Sequence, residues 1–97
     1  MKINIDDISK IITLLLLNLK NSKGKEIELK TDFYWDISSI QQYNPYNEPT
    51  DISLGQLSDD LNEISRLLKS NGEVIPYDLK RAAEILKALS YENPIAF

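Results

Sequence analysis

The sequence predicts an α+β fold, with three helices packed on a small antiparallel sheet, and three observations carry that prediction. Apolar residues recur at helical spacing near the N-terminus and in two segments of the C-terminal half. Between them, over residues 25–37, the period drops to two. The chain has 97 residues, 42% hydrophobic and 27% charged, the balance of one ordinary globular domain with a core of its own. The expected organisation is a single domain, 1–97, ending in a helical hairpin and a loose tail over 92–97.

The first helix is expected over residues 6–21, because Ile8, Ile11, Ile12, Leu15, Leu16 and Leu19 repeat on one face. Asp6 or Asp7 caps its start, Lys20 and Lys23 complement its far end, and Gly24 stops it. Leu14 and Leu17 widen the apolar stripe, as in a helix covered on two sides, by its own chain or by a second one.

In the alternating segment, Ile27, Leu29, Thr31, Phe33, Trp35 and Ile37 share one face, and Glu26, Glu28, Lys30, Asp32, Tyr34 and Asp36 the other. Phe33 and Trp35 are therefore expected in the core, with Tyr34, Asp32 and Asp36 on the solvent side. Residues 40–43 or 74–75 are the candidate partners, or a bend near Thr31 divides the run into two strands. A strand left unpaired would keep an edge open for another chain.

Residues 41–51 are polar, carry Pro45 and Pro49, and read as an ordered loop. Ser53 and Gln56 match a capping box, with Ile52 stapled to Leu57, so the next helix is expected to start at Ser53. Leu54, Leu57, Leu61, Ile64 and Leu68 form its stripe, and Asn71-Gly72 is its stop. The last helix has Pro76 in its first turn and Leu79, Ala82, Ala83, Leu86 and Leu89 inside.

Composition excludes several kinds of chemistry. There is no cysteine and no histidine, so disulfides, thiolate or imidazole metal sites and the usual catalytic triads cannot be built. The three glycines stand apart, which leaves no phosphate-binding loop. Asp59 and Glu63 lie one helical turn apart, but acids in a first turn already complement the helix dipole, and no metal or other cofactor is expected. The formal net charge of -4 opposes nucleic acid, so Lys20, Lys23, Lys25 and Lys30 read as solvated surface. The longest apolar stretch, 11–17, falls well short of the ~20 residues of a membrane span, and the acids ahead of it do not suit a secretory signal. A cysteine-free chain of this kind fits the cytoplasm.

What remains is binding. Phe33, Tyr34, Trp35, Tyr43 and Tyr46 fall within fourteen residues, and tyrosine and tryptophan offer large rigid area with a polar tip. The candidate partner-binding residues are Asp32, Tyr34, Asp36, Tyr43, Tyr46 and Glu48, with Asp59, Asp60 and Glu63 as a rival acidic surface. No catalytic residue is expected, and self-association as a homodimer, through the first helix or the open strand edge, is the alternative role.

Phe33-Tyr34-Trp35-Asp36-Ile37 and, after a loop with tyrosines and prolines, Leu54-Gly55-Gln56-Leu57-Ser58-Asp59-Asp60-Leu61 resemble segments of short bacterial proteins similar to the immunity proteins of contact-dependent and other polymorphic toxin systems. The resemblance spans roughly residues 32–90. It implies a cytoplasmic protein that binds a cognate toxin domain and blocks it, with acidic and aromatic residues set against a basic nuclease. It does not supply binding residues.

Overall fold

A computed structural model of the chain describes residues 1–69 and 72–92. The N-terminal apolar repeat folds as α1, Ile5–Lys23, one residue earlier and two later than its periodicity indicates. The cap is Asn4, whose side chain accepts the Asp7 amide at 3.0 Å, while Asp6 and Asp7 sit in the first turn. Gly24 ends the helix at φ 91°, a conformation that favours glycine, and donates its amide to Lys20 O at 2.8 Å. Leu19 is buried, and with Ile12, Leu15 and Leu16 it faces Leu86 and Leu89 of the last helix across a small apolar hollow. Leu14 and Leu17 remain exposed.

The expected long strand is much shorter. Only β1, Phe33–Ile37, is strand, and its antiparallel partner is β2, Ile52–Gln56, in place of residues 40–43 or 74–75. The register pairs Phe33 with Gln56, Tyr34 with Gly55, Trp35 with Leu54, Asp36 with Ser53 and Ile37 with Ile52. Among the described residues no strand lies beside 25–32, so alternation alone cannot make them a ladder. Ile27 and Leu29 instead turn half-buried toward Leu16, Leu19, Leu61, Ile85 and Leu89.

Between the strands, Ser39–Gln42 forms the single turn of α2. The loop that follows is ordered by Gln41: its Oε1 accepts the amides of Thr50 (2.7 Å) and Asp51 (2.6 Å), and its Nε2 donates to Thr50 Oγ1 (3.0 Å). These bonds close the ribbon.

The capping box at Ser53–Gln56 does not form, because those residues are spent on β2 and helix α3 runs Leu57–Lys69. Its cap comes from far away in sequence. Asp32 Oδ1 accepts the Ser58 amide at 2.8 Å, Oδ2 accepts Gln56 Nε2 at 2.8 Å, and the Asp32 carbonyl accepts the Leu57 amide at 2.7 Å. Helix α4, Pro76–Glu92, begins at its proline as expected and pairs with α3 as the C-terminal hairpin. Leu79, expected inside, is exposed. Asn71 of the expected stop and residues 93–97 of the expected tail lie outside the described residues.

The faces of the ribbon are the reverse of those expected. Trp35 is 72% and Phe33 59% exposed, whereas Tyr34 and Asp36 turn toward the helices. Alternation fixes which residues share a face but not which face is inner, and a one-residue change of phase exchanges the two. Gly55 decides it. The Tyr34 ring lies across Gly55, where any β-carbon would overlap it.

Gly55→Ala should therefore push the Tyr34 ring aside and destabilise the fold by about 1–3 kcal/mol, the usual cost of overpacking. Urea denaturation measures it, and an unchanged midpoint would show that the ring does not need this place.

Candidate functional site

Three elements converge on Tyr34. From β1 its hydroxyl donates to Asp60 Oδ2 of α3 at 2.6 Å, and from α4 the Lys80 ammonium sits 5.7 Å from its ring centroid. Asp60 is a carboxylate only 7% exposed, so the phenol stands where water would otherwise solvate it. Burial pushes the Tyr34 hydroxyl well above the usual phenol range, helped by the Asp60 hydrogen bond and by the charges of Asp60, Glu84 and Asp36. Two residues along the same face of β1, Asp36 Oδ1 meets Lys80 Nζ at 3.1 Å, and Glu84 approaches that ammonium at 3.8 Å. Burial opposes the charge on Lys80, but Asp36 outweighs it and holds the ammonium above its ordinary pKa.

The hairpin has its own polar fastening. Asp78, 3% exposed, accepts the Ile75 amide at 2.9 Å and Arg81 Nη1 at 2.8 Å, and Arg66 of α3 stands 3.7 Å away. Arg66 also pairs with Glu63 at 3.2 Å. Tyr77 lies beneath Arg81, 4.5 Å from ring centroid to guanidinium carbon, with Lys80 5.3 Å away. The Ile75 amide and the two arginines hold the Asp78 carboxyl below the usual range against its burial. Bonds from Gln56 and Ser58 do the same for Asp32.

These side chains line an open cleft of about 550 Å³ between the ribbon and the helical hairpin. Its acids are Asp36, Asp59, Asp60 and Glu63, and its rings are Phe33, Tyr34 and Tyr77, with Arg81 the one cation among its lining residues. Two of the expected surfaces, the strand and the start of α3, thus fall together. Asp32 does not belong to the cleft, because its oxygens cap α3. Tyr34 and Asp36, expected on the solvent side of the strand, are instead tied to the helices, a correction that follows from the reversed ribbon. Tyr43 lines a different hollow beside Pro76, Leu79 and Lys80, and Tyr46 and Glu48 are exposed in the loop, where the Tyr46 amide donates to Asn44 Oδ1. Among the described residues, no group of three or more carboxylates gathers to hold a metal.

Sequence reasoning missed Tyr77, Arg81 and Gly55. A local signal existed for the helix pair: Asp78 follows Pro76 at the third helical position, and Arg81 lies three residues beyond it. For Gly55 there was none, since its need arises from a ring on another strand.

No protein-family model, curated protein or solved structure matches the chain. No helix among the described residues is long and apolar enough to cross a membrane.

Two titrations check this geometry. The folded-state pKa of Tyr34 lies above its unfolded value, so its contribution to stability is complete below about pH 10 and is lost as pH rises toward the folded value. Tyr34→Phe should remove the last-ionising part of the phenolate absorbance change and flatten the alkaline fall in stability. Asp32 and Asp78 have folded values below their unfolded ones, so their contribution is present above about pH 4 and is lost as pH falls further. Asn at both positions should flatten the acid limb of a plot of urea midpoint against pH.

Proposed function

We propose that the protein is a cytoplasmic immunity protein, which binds a cognate toxin domain and neutralises it by protein–protein contact without turnover of its own. The observation that carries this reading is the cleft, an open surface lined by Asp36, Asp59 and Glu63 and by three aromatic rings, with Asp60 buried beneath the Tyr34 hydroxyl. Such a surface suits a basic partner. Long-range attraction speeds the encounter, and rings that lose their water then anchor the complex. Two further points support it: the net charge of -4, and the resemblance of the segments around Phe33–Ile37 and Leu54–Leu61 to immunity proteins, since those are the segments that build the cleft. Tyr43, Tyr46 and Glu48 form a separate candidate surface on the loop. A second reading, a self-associating structural or adaptor module, is favoured by the uncovered outer face of the ribbon and is compatible with the first.

The test starts from the neighbouring gene: if it encodes a large secreted protein, the toxic domain of that protein is co-expressed with this chain, and a neighbour of another kind counts against the proposal. Wild type should restore growth and bind the purified domain, and a failure of both would remove the proposal. Ala at Asp59 and Glu63 should lower the association rate by about tenfold at low salt and reduce its salt dependence. Tyr77→Ala should act mainly on dissociation. If only Tyr46→Ala and Glu48→Ala weaken binding, the loop is the contact surface and the cleft is not.

A further inference from the structure

The outer face of the ribbon is apolar, uncharged and wet. By the register, Phe33, Trp35 and Ile37 share it with Gln56, Leu54 and Ile52, and none of the six carries a charge. Leu54 is 65% and Ile52 45% exposed, beside Phe33 and Trp35. Trp35 and Ile37 also line a hollow with Ala88 and Tyr91 of α4, where the charged residues Glu84 and Lys87 bound the patch past the ribbon edge. Two large aromatics and two branched aliphatics set side by side across two strands are what a packed sheet face contains, not what one left in water contains.

The whole chain shows a matching shortfall. Leu19 and Leu57 are the buried apolar residues among the described ones. The chain exposes 8323 Å², whereas a folded monomer of 11.1 kDa exposes about 5,700 Å². Its radius of gyration is 15.1 Å, against about 12.5 Å for a compact domain of this length. The excess surface, on the order of 2,500 Å², is shared between the ribbon face and other exposed apolar side chains such as those of α1, and it leaves room for the roughly 1,000 Å² that each subunit of a small obligate dimer buries.

We infer that the outer face of the β1–β2 ribbon is the interface of a homodimer, in which two copies pack ribbon on ribbon about a two-fold axis. Charge selects the occupant. None of the six residues of the outer face is an acid, so a cationic partner finds no carboxylate among them to recognise. Two copies carrying -4 each repel, and a face free of charge is where they meet at least cost. Two-fold packing needs only that the face complement itself, which an array of rings and aliphatic side chains does without fixed polar partners. Two ribbons stacked at about 10 Å form a four-stranded, two-layer sandwich, and each ribbon gains the second covered face that a two-stranded hairpin lacks. Phe33 and Leu54 also line the cleft, so the seam runs along its mouth and the dimer presents two clefts. This inference stands apart from the toxin reading, and its test needs no toxin.

Trp35, the single tryptophan, reports on the interface directly. Sedimentation of the full chain at micromolar concentration should give twice 11.1 kDa, and tryptophan emission should shift to shorter wavelength as concentration rises through the transition. Leu54→Lys should weaken the dimer about thirtyfold or more and hold the emission at long wavelength at every concentration. Its circular dichroism should match wild type, since the site is exposed in the single chain. Leu14→Lys, on the exposed flank of α1, should change neither reading. Ile52→Lys repeats the test should Leu54→Lys fail to fold. A monomer throughout would overturn the inference. So would a dimer that survives both ribbon substitutions, forms without a change in emission, or is broken by Leu14→Lys, any of which places the interface elsewhere.

Discussion

The hydrogen bond from Tyr34 to Asp60, laid across Gly55, is the constraint on which the rest of the ribbon depends. A carboxylate 93% withdrawn from water needs a donor, and the phenol reaches it only from the inner face of β1. Once Tyr34 is committed inward, the pleat carries Asp36 inward with it and sends Phe33, Trp35 and Ile37 out. The bare backbone of Gly55 makes the commitment sterically possible, since any β-carbon there would occupy the space of the ring.

A ribbon that turns its polar side inward needs polar partners on the helices, and α4 supplies them. Lys80 neutralises Asp36 and lies over the Tyr34 ring, and the Asp78–Arg81–Arg66 group ties α3 to α4 under the same cleft. Partly buried ion pairs of this kind add modestly to stability, because the cost of removing water from both charges offsets their attraction. Their geometry is directional, however, and so fixes how ribbon and hairpin sit together where a greasy contact would allow sliding. Asp32 does the same service at the other end of the junction, where it holds β1, β2 and the first turn of α3 as one unit.

The inversion leaves the molecule with two surfaces of different chemistry. The cleft gathers carboxylates and rings where they can attract and then anchor a basic group, and the outer ribbon face gathers apolar side chains without charge. Both follow from a single choice of phase along five residues of β1. The two surfaces flank the same two strands and meet at Phe33, Leu54 and Gln56, which belong to both.

Sequence alone determined what depends on neighbours along the chain. The 3.6-residue stripes gave α1 and the hairpin of α3 and α4, Gly24 and Pro76 marked real boundaries, and the α+β class followed from one alternating segment among helical ones. Tertiary structure decided everything that rests on residues distant in sequence. Pairing with β1 drew Ser53–Gln56 out of a plausible capping box and into a strand, and left Asp32, 26 residues before Ser58, to cap the helix instead. The inner face of the ribbon was likewise set by Asp60 and Gly55, partners that no periodicity can show. The physical reason is common to both cases: a repeat states which side chains point the same way, but only the groups waiting across the fold determine which way is in.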